Sequence, residues 1–116
     1  MHVVFATMMR TPWLTSEVTE RLYPFIGGIV RDDHGVLLAA GGVADHVHLY
    51  LGCRPDQSIA TIVRNVKSRS TSWLHRTFPS LREFRWQSGY SVFSVSHSLD
   101  ERVRSYIGKQ AEHHRT

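Results

Sequence analysis

One cysteine, Cys53, is the chain's entire thiol content, so neither an internal disulfide framework nor a cysteine-based zinc site can form within it. Cys53 reads instead as a small hydrophobe at a strand end. No segment approaches the roughly 18 consecutive apolar residues of a membrane span. The start, "MHVVFATMMRTPWLT", lacks a basic opening followed by a long apolar stretch and a small-residue cleavage site. No secretory leader is therefore expected, and a cytoplasmic location with no membrane partner is the default. Repeats, low-complexity tracts and linkers are missing as well. With 116 residues, 41% of them hydrophobic, the expectation is one soluble domain spanning residues 1–116 around a single core.

An excess of acids is also lacking. The formal charge is +4, and the basic side chains are concentrated in the middle. Residues 54–85 hold Arg54, Arg64, Lys67, Arg69, Arg76, Arg82 and Arg85 against Asp56 and Glu83, whereas residues 1–53 hold three arginines against five acids. Such a cluster suits a polyanion, because each phosphate contact releases condensed counterions, and it equally suits a plain solvated face. Arg64, Lys67 and Arg69 are the candidates for phosphate contact.

The patterning predicts the order βαββαβ followed by a C-terminal helix. "HVVFATMM" (2–9) is a β-rich first strand. Thr15 or Ser16 caps a helix on which Val18, Leu22, Phe25, Ile26 and Ile29 recur at helical spacing, with a kink or break expected near Tyr23 from Pro24 and Gly27–Gly28. "DDHG" ends it. Strands at 36–42 and 46–52 form a hairpin. A second helix from Ser58 buries Ile59, Ile62, Val63, Val66, Trp73 and Leu74, places Arg64, Lys67, Ser68 and Thr71 on another face, and stops at Pro79. "FRWQSGYSVFSVS" (84–96) is a further strand region with a bulge or turn at Gly89. Ser98 and Glu101 make a capping box for a last helix, 99–114. This order suits an α+β ferredoxin-like sandwich, with both crossover helices on one face of a four-stranded antiparallel sheet and the other face open.

The chemistry-bearing stretch is "GGVADHVHLYLGCRP" (41–55). Alternation puts Val47, Leu49 and Leu51 on one strand face and His46, His48 and Tyr50 on the other. Two imidazoles at i and i+2 can aim at one metal ion; they can equally be partly exposed strand residues. On the last helix, Tyr106 and Gln110 stand four apart on one face, between Arg102 and His113 or His114. A phenol beside a metal could attack a polarised phosphorus, and the Gln110 amide oxygen could complete the metal site. The alternative is a helix whose Tyr106 and Gln110 face solvent.

Taken together, "DHVHLYL", "RNVKSRSTSWL", "WQSGYSVFSVS" and "VRSYIGKQAEHH" resemble, in order and over nearly the whole chain, the single-tyrosine HUH transposases of the insertion sequence 200/605 type. HUH denotes His, a bulky hydrophobe and His, here His46, Val47 and His48. The resemblance implies a ferredoxin-like fold and a homodimer in which the helix of one subunit completes the site of the other. It implies single-stranded DNA with hairpins at element ends as the partner. Tyr106 matches the nucleophile and Gln110 the third protein ligand of a divalent metal, Mg2+ or Mn2+, with two imidazoles favouring the latter. The implied reaction is transesterification through a 5′-phosphotyrosine with a free 3′-hydroxyl. Phe5 and Met8 depart from the Trp and Lys usual in the family's first strand. A second reading is a non-catalytic single-stranded nucleic-acid-binding module on the same fold, although the chain lacks the aromatic motif such modules use for stacking bases.

Overall fold

A computed structural model describes residues 1–94. It contains β1 (His2–Ala6), α1 (Ser16–Asp32), β2 (Val36–Val43), β3 (His46–Gly52), α2 (Ile59–Thr77) and β4 (Ser91–Phe93), with single 3-10 turns at Met8–Arg10 and Pro79–Leu81. The four strands form one sheet in the order β2-β3-β1-β4, and every pairing is antiparallel. The expected ferredoxin-like α+β arrangement is therefore present. The predicted last helix, with Tyr106 and Gln110, lies outside the described residues.

α1 starts where the cap residues placed it, with the Thr15 hydroxyl accepting from the Val18 amide. The expected break at Pro24 does not occur: the helix is one continuous 17-residue element. A proline in a helix interior costs about 3 kcal/mol. Burying one large aliphatic side chain contributes about 1.5–3 kcal/mol, and α1 buries Val18, Leu22, Ile26, Ile29 and Val30. Packing outweighs the local penalty. At its end the left-handed residue is His34, with φ 64°. Gly35 has another task, since a Cβ there would stand 3.0 Å from Val30 and 3.2 Å from the Gly52 carbonyl.

α2 is capped by Ser58, which accepts from the Thr61 amide. Ile62, Val63, Val66 and Leu74 are buried as expected, joined by Ser70. Ile59 and Trp73 are only partly buried; Trp73 stacks on Phe25 of α1 at 4.7 Å and 15°.

The region after α2 differs most from expectation. Among the described residues there, only Ser91–Phe93 form a strand, and all three are exposed. Residues 84–90 instead run irregularly apart from one antiparallel bridge between Trp86 and Thr7, and only Phe84 and Trp86 among them fill the end of the core. Phe84 is fully buried and Trp86 nearly so, meeting edge-to-face at 4.8 Å, while Trp86 meets Phe5 of β1 at 4.7 Å. An indole needs a partner for its N–H when buried, and Trp86 Nε1 donates to Ser70 Oγ at 3.0 Å. That bond explains a serine in the α2 stripe. Replacing it, Ser70→Ala, should destabilise the protein by about 1–3 kcal/mol in urea unfolding, because the indole N–H is stranded. The exposed Ser72→Ala should stay within about 0.5 kcal/mol.

Candidate active site

The site is assembled by strand register. β1 lies antiparallel to β3 with His2 opposite Tyr50, Val4 opposite His48 and Ala6 opposite His46. Val3, Phe5, Val47, Leu49 and Leu51 consequently turn inward and are buried. His2, His46, His48 and Tyr50 share the outer face. The turn at Ala44 and Asp45 that precedes His46 is tight, and Gly42 there has φ 149°. A Cβ on Gly42 would collide with the His46 carbonyl and the Val47 backbone, so the glycine lets β2 close on the histidine strand.

The His46 and His48 rings are 5.1 Å apart at 62°. Neither is a bare strand residue. His46 Nδ1 lies 2.8 Å from Asp45 Oδ1, and His48 Nδ1 lies 2.8 Å from His2 Nε2. Asp45 was legible as the residue beside a candidate ligand. His2 was not, because "HVVF" gives no local sign that the register will carry it to His48.

The outer face is less open than the sequence suggested: His48 is 9% and Tyr50 6% exposed. Burial, reinforced by the neighbouring charges of His2 and His46, pushes His48 down to about 4. His2 is lowered by burial and by the N-terminal charge. Both rings are thus neutral at physiological pH, the form that binds metals. A polar neighbour at Nδ1 with Nε2 as the coordinating nitrogen is an arrangement common among metal-binding histidines. His46 and His48 therefore fit as part of a divalent metal site. Among the described residues, no group of three His, Cys, Asp or Glu could hold a metal ion.

A cleft of about 350 Å³ runs beside His46, lined among others by Ala6, Arg10, Gln87, Tyr90 and Ser91. Arg10, also missed in the sequence, sits in a turn where Met9 and Arg10 both have positive φ, 58° and 55°. Such residues cost about 1–2 kcal/mol each and persist only where their surroundings over-determine them. Here the Thr7 hydroxyl lies 2.8 Å from the Thr11 carbonyl and 3.1 Å from that of Asp45, and Met8 N donates to Arg85 O at 2.9 Å. The Arg10 backbone N–H donates to the Thr7 carbonyl at 3.1 Å, while its exposed guanidinium, with no hydrogen bond or ion pair among the described residues, lines the cleft as a solvated cation.

Residues 1–110 match the family described as "Transposase IS200 like". The chain belongs to the IS200-like transposase family. It is 25% identical over 114 residues to the ISDra2 transposase TnpA of Deinococcus radiodurans, covering 94% of this chain and 81% of that one. It is 27% identical over 117 residues to the transposase for insertion sequence element IS200 of Salmonella typhimurium, covering 96% and 76%. Among solved structures it is similar to a Deinococcus radiodurans protein crystallised as a candidate transposase, with TM-score 0.77, 29% identity and coverage of 94% and 88%. It also resembles a REP-associated tyrosine transposase bound to a REP hairpin, with TM-score 0.71 and coverage of 99% and 68%. At 18% identity that second likeness speaks to the fold.

The basic residues of this IS200-like transposase are not equivalent. Arg64 is exposed, and its guanidinium has no hydrogen bond or ion pair among the described residues. Arg69 pairs with Asp32 at 2.8 Å on the surface. Lys67 donates to the carbonyls of Gln87 and Gly89, at 2.8 and 2.6 Å, and its ammonium stands 5.3 Å from the Phe5 ring centroid. Burial lowers its pKa. The lysine is thus a tether that fixes the 87–91 wall of the cleft.

The depressed His48 value makes a pH prediction for the metal-free protein. In the unfolded chain this imidazole takes up a proton near 6.5, and in the folded chain only near 4. Between those values the unfolded state binds more protons, so stability falls as pH drops from 6.5 to 4. Urea midpoints measured across that range should decline, and His48→Gln should flatten the decline. NMR should place the His48 midpoint at about 4, below that of an ordinary histidine.

Proposed function

We infer from its family membership that the chain is a DNA transposase. We propose that it cuts and rejoins single-stranded DNA by transesterification, with Tyr106 as nucleophile and with His46, His48 and Gln110 holding a divalent ion, Mg2+ or Mn2+. The observation that carries this reading is the His46–His48 pair, each ring oriented through Nδ1, at the edge of a cleft that also presents Arg10. When bound, the ion neutralises charge on the scissile phosphate. Tyr106 loses its phenolic proton to a base and its oxygen bonds to phosphorus as the phosphorus–O3′ bond breaks, the departing O3′ taking up a proton from solvent. The products are a 5′-phosphotyrosine and a free 3′-hydroxyl. Reversal by the 3′-hydroxyl of another strand reseals DNA and releases the tyrosine, so no nucleotide cofactor is consumed. Arg10, Arg64 and Arg69 supply cations for the DNA backbone. The DNA partner carries a hairpin at the element end, and the active species is a homodimer sharing its sites. Tyr90, Val92 and Phe93, large side chains exposed along the β4 edge, are the kind of surface that a partner covers.

A non-catalytic nucleic-acid-binding module would need aromatic rings displayed on the outer sheet face. Tyr50, beside the histidines there, is buried, which argues against base stacking at that position, and the exposed ring near the group is Phe93 at the sheet edge.

The deciding measurement is a denaturing gel with a hairpin-bearing single-stranded oligonucleotide and Mn2+. The wild type should leave a covalent protein–DNA adduct; Tyr106→Phe should bind DNA and leave none; His48→Ala should lose metal-dependent cutting. An adduct mapped by mass spectrometry to Tyr90, the phenol that lines the cleft, would overturn the nucleophile. For Arg64→Gln, the log–log salt dependence of DNA binding should flatten by roughly 0.7 if that side chain meets one phosphate of a single strand; an unchanged slope would remove it from the interface.

A further inference from the structure

The metal site has a member that neither the HUH motif nor the helix tyrosine includes. His2 enters it from β1, diagonal to His48 across the β1–β3 pair, at a spacing that aromatic side chains can bridge. The two rings stack with centroids 5.0 Å apart and 29° between planes, and Phe93 of β4 lies 5.8 Å from the His2 ring. His2 Nε2 and His48 Nδ1 are 2.8 Å apart, so one proton lies between two neutral imidazoles and one of the two nitrogens must accept.

We infer that His2 is a positioning residue for the metal site: its Nε2 accepts the Nδ1 proton of His48 and holds His48 in the tautomer whose Nε2 carries a lone pair. The opposite arrangement, with His2 donating, would put the His48 proton on Nε2 and remove it as a ligand. The inference rests on the reading of His46 and His48 as metal ligands. It gives the two rings matching supports, Asp45 at His46 and His2 at His48. Orienting partners of this kind are commonly worth about 10- to 100-fold in metal affinity.

The test uses the full chain with Mn2+ alone as the probe. Mn2+ affinity is read by the EPR signal of the free ion, and the protonated nitrogen of His48 by long-range 15N NMR of the metal-free protein. The wild type should show His48 protonated at Nδ1. His2→Phe keeps a ring against His48 and Phe93 but cannot accept; it should weaken Mn2+ binding about 10- to 100-fold while leaving single-stranded oligonucleotide affinity unchanged. His2→Gln, whose amide oxygen can accept, should recover part of the loss. A folded His2→Phe with wild-type Mn2+ affinity would overturn the inference, as would a wild-type His48 protonated at Nε2, and the latter decides the matter even if His2→Phe does not fold. His48→Ala separates the two levels. If it abolishes Mn2+ binding while His2→Phe does not weaken it, the positioning role alone falls; if His48→Ala binds Mn2+ normally, the metal-site reading falls and takes the positioning role with it.

Discussion

The pairing of β1 with β3 is the constraint on which the rest of the molecule depends. Side chains alternate along a strand with a period of two, so a one-residue slip would send every inward residue outward. In the observed register Val3 and Phe5 meet Val47, Leu49 and Leu51 beneath the helices, while His2 approaches His48 on the far face. The hydrophobic effect fixes the register by burying one face, and the imidazole constellation on the other face is set by the same choice. Core and chemistry are two sides of one pairing.

That pairing is reinforced at its open end by elements distant in sequence. Trp86 packs on Phe5 and Phe84 and hands its N–H to Ser70. Lys67, one turn earlier on α2, gathers the Gln87 and Gly89 carbonyls. Backbone amides at 7, 8 and 14 bond to carbonyls of 45, 85 and 44. Through these contacts the β2–β3 turn, the strained turn at Met8–Arg10 and the segment after α2 converge beside His46. The cleft is thus walled by structure whose strain and unusual charge placement are held by hydrogen bonds rather than by regular secondary structure.

The electrostatics follow from burial. A protonated imidazole is poorly solvated where His48 stands, and two further histidines nearby raise the cost, so the neutral ring is favoured. Neutrality readies the ring for a cation. The positive charges of the chain are placed differently: Lys67 against carbonyls, Arg69 beside Asp32 on the surface, and Arg64 and Arg10 exposed.

The amino-acid order by itself determined the element sequence through β4, the inward faces of β3 and α2, the start of α1 at Thr15 or Ser16, and the His46–His48 pair, because each is a local pattern of periodicity or capping. It also carried the resemblance to the transposase family that the comparisons support. Tertiary structure decided the rest. Pro24 stayed helical because five buried side chains outweigh one lost hydrogen bond. Phe84 and Trp86 became core plugs rather than strand residues because the space at the end of the sheet needed filling. Lys67 became a tether because a carbonyl-rich segment folds back over it. His2 joined the site only because an antiparallel register carries residue 2 to residue 48, and a long-range pairing of that kind leaves no trace in either local stretch.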